Sequence, residues 1–372
     1  MGLASPAMAQ TQMQAPPPAG TLYLSDFFEQ PNPEVLSHGE TVARSAAQWG
    51  HQGAVVRQEV RENPLTKKAH RFGVYLDQRQ FSPEEMKQLL ADYTTQCQVG
   101  QMQTATADLK AWLDQGAHHS AINLSRGCGQ AQVAEAIYQH VSPAFGFDPV
   151  AQIKSRQKLA KMAPALGTSL EELVSPDRQV AREARLKFQQ NLVDLIDQTS
   201  RQSELLAQTQ AEYDAVVESL AEQKVSVVVA AANSGKVLDE MARDADGQRV
   251  QVSPNFWNNR LASPKTVAVG GTSGARVADY TNYDSGIDFY ADGDARVNPD
   301  HPDQLVNYGT SFATPRVASL LAGVHKKNPD WSNAQAQAFV RQNLSNQSLD
   351  WAGRTPAPNL SKEVAQEYLL SK

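Results

Sequence analysis

The sequence predicts an α/β protein with a doubly wound, mainly parallel sheet, flanked by helices and carrying a long helical insertion. Three observations lead there. Short apolar, β-rich runs alternate with helical patterns, the signature of a layered α/β fold. The middle of "VSVVVAAA" (225–232) is apolar at every position, as in strands buried on both faces of a parallel sheet. Between Gly167 and Gly235 no glycine occurs and Pro176 is the one proline, so a long stretch lacks the residues that break helices.

In chain order, the first twenty residues are small, Gln-rich and end near three prolines, a composition that folds poorly by itself. Residues 1–20 are therefore expected to be a tail or the remnant of a signal. "AMA" before Gln10 has the form of an A-x-A cleavage site, but the basic and apolar segments that precede such sites are missing. The compartment stays open, with a secreted or periplasmic location favoured over a cytoplasmic one. Strands are expected at "TLYLS" (21–25), "GAVV" (53–56), "SAINLS" (120–125), "VSVVVAAA" (225–232) and "KTVAVGG" (265–271). Helices are expected at "SPEEMKQLLADYTTQC" (82–97) and from about Ser311, where Ala313, Val317, Leu320 and Leu321 recur at helical spacing.

The glycine-free region reads as one or two long amphipathic helices. "SPDRQ" offers Ser175 as N-cap with Pro176 at the first helical position. Phe188, Leu192, Leu195 and Ile196, then Leu206, Tyr213, Val217 and Leu220, mark the apolar face. The steps do not keep a strict heptad, so packing on the chain's own sheet is expected over a coiled-coil arm.

Bulk properties exclude some partners. The chain has 372 residues, an apolar fraction of 41% and a net charge of −6. Nothing in that balance points to nucleic acid, and no apolar run reaches the length of a membrane span. Two cysteines, Cys97 and Cys128, are too few for a disulfide framework, and free thiols are the expectation. No metal ligand set is assigned; "DADG" (244–247) and "DGDARVNPD" (292–300) read as solvated turns.

Four short stretches hold chemistry. In "VNYGTSFATPRVASLLAG" (306–323), Ser311 lies at a helix start, among free backbone N–H groups and the positive end of the helix dipole. It reads either as a cap or as a nucleophile. Among eight histidines only His38, in "SHGETVARSA" (37–46), is followed by glycine and opens a helical pattern. Asp26 ends the strand "TLYLS", at the carboxyl edge where open parallel sheets bind ligands. Asn233 ends "VVVAAAN" and is either a turn former or an amide donor to an oxyanion.

Together these motifs resemble those of the subtilisin-like serine proteases. "GTSFATPRVAS", "HGETVA", "VVVAAANSG" and "AINLSRG" match four landmark stretches, in the order Asp, His, Ser. "SPKTVAVGGT" (263–272), "DYTNYDSGIDFYADG" (279–293) and "GVHKKNPDWSNAQAQAFV" (323–340) extend the resemblance to roughly residues 21–345. It implies a subtilisin-like catalytic domain over residues 21–372, containing a helical insertion at 131–222. It further implies Ser311 as nucleophile, His38 as base, Asp26 as its orienting acid and Asn233 in the oxyanion hole. Ser125, Arg126 and Gly127 would form the edge that pairs with an extended peptide. The implied activity is endopeptidase cleavage of a protein or peptide substrate without a cofactor; calcium is a structural possibility in this family, not readable here.

The sequence also departs from the family pattern. Asp26 is followed by Phe27-Phe28 rather than Ser/Thr-Gly, and only eleven residues separate it from His38. Arg316 stands where the family usually has His, and Arg126 where it often has an apolar residue; a guanidinium there would favour acidic or small substrate side chains or pair with an acid of the insertion. Ser125 and Asn233 are 108 positions apart, far more than in secreted subtilisins, and the insertion accounts for the excess. Its expected role is a partner-binding or gating arm. No inhibitory segment of the family's usual length precedes Asp26; either it lies upstream or the chain folds without one. The alternative function is a weak or inactive subtilase-fold protein that binds peptides and scaffolds a partner through the insertion.

Overall fold

A computed structural model describes residues 16–29, 36–61, 63–145, 148–242, 250–282, 286–298, 301, 304–349 and 357–371. The chain runs β1 (Leu22–Asp26), α1 (His38–Gln48), β2 (Val55–Glu59), α2 (Pro64–His70), α3 (Phe72–Gln78), α4 (Pro83–Asp114), β3 (Ser120–Leu124) and α5 (Gln130–Gln139). There follow α6 (Pro149–Met162), α7 (Leu170–Leu173), α8 (Arg178–Gln202), α9 (Glu204–Glu222), β4 (Val225–Ala230), α10 (Gly235–Ala242), β5 (Thr266–Ser273), β6 (Arg276–Val277) and β7 (Ile287–Asp292). The rest is β8 (Asp294–Ala295), β9 (Asn307–Tyr308), α11 (Thr310–Lys327), α12 (Asn333–Asn343), β10 (Ser345–Leu349), β11 (Ala357–Leu360) and α13 (Lys362–Leu370).

The main sheet has the order β10-β11-β7-β5-β4-β3-β1-β2. Every pair from β2 to β11 is parallel; β10 on β11 and the short β6 on β5 are antiparallel. Alternation along each strand sorts the core into two faces. Leu22, Leu24 and Val228 pack with Val42, Phe312, Val317 and Leu321 of α1 and α11, whereas Tyr23, Val227 and Val229 pack with Met102, Leu109, Tyr213 and Val217 of α4 and α9. The apolar run of β4 is thereby covered on both sides, and the doubly wound α/β expectation is met.

The five expected strands match β1 to β5 to within a few residues. One expected helix is much longer than its sequence signal: α4 continues past Cys97 to Asp114. Gly100 lies in that continuation. Its glycine has a packing cause, since a Cβ there would fall 2.5 Å from Thr66 Oγ1 of α2. The residues of the insertion form a second, all-helical core, in which Ala131, Val133, Ile137, Leu159, Phe188, Leu192 and Ile196 meet Met86 and Leu90 of α4.

Three expectations need correction. Cys97 and Cys128 are not free thiols but form a disulfide, because α4 runs beside the segment that leaves β3 and brings the two Cα atoms to 6.3 Å. Ser175 does not cap α8; Asp177 does, accepting from Gln179 N at 2.8 Å, and Pro176 lies outside the helix. The tail is seated before residue 21, since Gly20 N donates to His119 O at 2.7 Å. The "AMA" stretch, "DADG" (244–247) and parts of "DYTNYDSG" and "DGDARVNPD" lie outside the described residues.

Candidate active site

The carboxyl ends of β1, β3 and β4 meet the amino ends of α1 and α11, and the singled-out residues gather there. Asp26 closes β1 and is 4% exposed. Its Oδ1 accepts from Phe27 N at 2.7 Å and lies 2.7 Å from His38 Nδ1. His38 is the first residue of α1, behind the N-cap Ser37, whose Oγ accepts from Glu40 N. The eleven-residue link suffices because Gly39 N reaches back to Phe27 O at 2.9 Å. A Cβ at Gly39 would meet the Phe28 ring at 2.8 Å, so the His-Gly pair is a steric requirement of the short loop. Glu59, in register with Asp26 on β2, accepts from Phe28 N at 2.7 Å and Glu29 N at 3.1 Å. These bonds hold a turn that lacks the family's glycine.

Ser311 is the second residue of α11. The turn before it needs Gly309, whose φ of 152° and ψ of 163° belong to a region open essentially to glycine. Asn233 reaches this turn from the end of β4. Its Oδ1 accepts from Thr310 N at 2.8 Å and Thr310 Oγ1 at 2.9 Å, which fixes the amide's rotation and leaves Nδ2 as its unengaged donor among the described residues. Ala232, with φ at 81°, carries the strained turn that delivers Asn233.

Ser125 and Ser311 exchange contacts. Ser125 Oγ donates to Ser311 O at 2.7 Å, and Ser311 Oγ donates to Ser125 O at 3.1 Å. The nucleophile candidate therefore points at the β3 edge rather than at His38. Phe312, the next residue, has its ring centroid 5.3 Å from the His38 ring, so the two halves of the site abut.

Ser125, Arg126 and Gly127 follow directly on β3, and Arg126 departs from its expected placing. Arg126 turns its side chain inward, 9% exposed, and its Nη2 lies 2.5 Å from Asp108 Oδ2. It does not face the cleft, and its acid partner belongs to α4, not to the insertion. Arg126 O accepts from Asn259 Nδ2 at 3.1 Å, and Ser125 O accepts from Ser311 Oγ. Gly127 is again forced, since a Cβ would fall 2.0 Å from Asn259 Oδ1. Sequence reading missed Asp108, Glu59, Asn259 and Thr310. Each is held by non-local contacts, and none has a local signature. Among the described residues no cluster of three or more His, Cys, Asp or Glu side chains could hold a metal.

Known proteins are similar over parts of this chain. M-protease of Shouchella clausii (strain KSM-K16) is 32% identical over 139 residues, 37% of this chain and 30% of its own length. Subtilisin BL of Lederbergia lenta is 32% identical over 139 residues, 43% of its length. The match thus spans less than half of either relative. The crystal structure of a lanthipeptide protease aligns over 95% of this chain and 90% of its own, at 12% identity and a TM-score of 0.41. The Subtilase family model matches residues 125–355, which include Ser125, Asn233 and Ser311 and leave Asp26 and His38 to be judged by geometry. With well over half of its length matched, the chain belongs to the subtilase family.

Proposed function

We propose that this protein is a serine endopeptidase working through Asp26, His38 and Ser311. The observation that carries the reading is the 2.7 Å contact of His38 Nδ1 with a buried Asp26, at a site abutting the amino end of α11. Asp26 holds the imidazole in the tautomer that leaves Nε2 as the base and stabilises the imidazolium. Ser311 Oγ leaves Ser125 O, gives its proton to Nε2 and attacks the scissile carbonyl. The oxyanion is received by Ser311 N and Asn233 Nδ2, whose orientation Thr310 fixes in advance. His38 returns the proton to the leaving amine, and water releases the acyl group by the same steps. The substrate backbone pairs with the Ser125–Gly127 edge, and the substrate class is an extended peptide or protein segment.

The test is labelling of the folded protein with a fluorophosphonate probe. Wild type is expected to label, Ser311→Ala not at all, and Asp26→Asn about 10³–10⁴ times more slowly. Folded wild-type protein that stays unlabelled overturns the reading.

A further inference from the structure

Helix α4 grips the proposed site from behind. Besides the disulfide to Cys128, it supplies Asp108, a side chain 7% exposed that lies at the carboxyl ends of β1, β2 and β3. Asp108 Oδ2 accepts from Ser25 Oγ at 2.5 Å and from Arg126 Nη2 at 2.5 Å; Oδ1 accepts from Gln58 Nε2 at 2.8 Å. The three donors come from β1, from the continuation of β3 and from β2. Ser25 immediately precedes Asp26. Gln58 immediately precedes Glu59, which holds the turn after Asp26. Arg126 is the middle residue of the Ser125–Gly127 edge, and its Nε and Nη1 have no partner among the described residues, so Asp108 is the anchor of that guanidinium.

We propose that Asp108 is a positioning residue that sets the strand end carrying Asp26 and the substrate edge from one buried carboxylate. This assignment rests on the triad reading above. Two limbs leave Asp108: one through Ser25 to the acid of the triad, the other through Arg126 to the edge that receives the peptide. Charge-assisted bonds to a group held this far from water have little freedom, so each limb transmits position. A plain structural tie would not need the ion pair, because apolar side chains of similar volume hold such places equally well.

The experiment compares wild type, Ser25→Ala, Arg126→Leu, Asp108→Asn and the double variant Asp108→Asn/Arg126→Leu. It measures thermal melting, the labelling rate with the fluorophosphonate, and kcat and KM on a peptide chosen by library screening. Misplacement of a reacting or binding group by about 1 Å costs up to about 100-fold, which sets the scale. Arg126→Leu is expected to raise KM about tenfold or more with a much smaller fall in kcat. Ser25→Ala is expected to slow labelling and kcat about tenfold with little change in KM. Asp108→Asn shows both losses. The double variant regains melting temperature over Asp108→Asn, since no unpaired guanidinium is left buried, yet keeps the raised KM. Kinetic losses that follow the melting temperature and vanish in the double variant overturn the assignment, as do Ser25→Ala and Arg126→Leu profiles that show no split between kcat and KM. Wild type that labels while every variant matches it overturns this assignment alone; folded wild type that never labels overturns the triad reading and this assignment with it.

Discussion

At Asn233 one side chain has two separable duties. Its oxygen holds Thr310 and so shapes the turn into Ser311, while its nitrogen is the proposed oxyanion donor. Asn233→Asp keeps the first and deletes the second. A fall in kcat of at least about 10² with an unchanged melting temperature is expected, read from peptide hydrolysis and calorimetry; wild-type kcat in that variant would remove Asn233 from the mechanism. Arg316 explains another departure from the family pattern. Its buried guanidinium lies 2.8 Å from Asp292 Oδ2, bonds to Asp292 O, donates to Asp294 O at 2.7 Å and lies over the Trp49 ring. It ties the end of β7 to α11, a task that needs a planar fork and lies outside the chemistry of the site. At this scale the legible residues were those whose meaning is local. Ser311 and His38 sit at helix starts, and Asn233 at a strand end. Asp108 sits mid-helix, where an acid normally marks a solvated face, and only the fold turns it inward.

Among the elements, α4, α8 and α9 share cores that cannot be divided. Leu206, Tyr213, Val217 and Leu220 of α9 cover the same sheet face as α4, and Phe188, Leu192 and Ile196 of α8 pack in the helical core against the amino half of α4. The insertion is therefore packed as a layer on the rest of the protein. Deletion of residues 135–215 with a short linker is expected to give a chain without a cooperative melting transition and without fluorophosphonate labelling, monitored by circular dichroism and gel fluorescence. A folded, labelling product would show the layer to be dispensable. The apolar periodicity of α8 and α9 was enough to place their buried faces. It was not enough to show what they bury against, because periodicity reports that a face is covered and carries no information on the partner. The extent of α4 beyond Cys97 was not read from the sequence; a glycine, Gly100, lies in that continuation, where Thr66 approaches it.

Across the whole molecule, the proposed site lies at the carboxyl ends of the strands, and a buried histidine lies toward their amino ends. There His325, fully buried on α11, has its Nε2 3.0 Å from Ser226 Oγ of β4. Burial, with the nearby charges of His119 and Lys224, lowers its pKa from 6.5 to about 4. The folded state thus holds it neutral, while the unfolded chain takes a proton below pH 6.5. Stability supplied by this group is complete above pH 6.5 and is lost as pH falls from there toward 4, on the order of 3 kcal/mol in all. Wild type is expected to lose melting temperature across that window more steeply than His325→Asn; parallel slopes would exclude the group. The layered, mainly parallel architecture was legible in the alternation of strand and helix patterns, but the strand order and this histidine were not, since a late-helix His ordinarily serves the helix dipole in solvent. The bond between Cys97 and Cys128 has a consequence of its own. One half of it sits directly after Gly127, the last residue of the proposed substrate edge. A chain matured under oxidising conditions and one kept under glutathione would differ by a covalent tie between α4 and the segment that leaves β3, so the redox history of the protein decides whether its helical layer is stapled to its sheet.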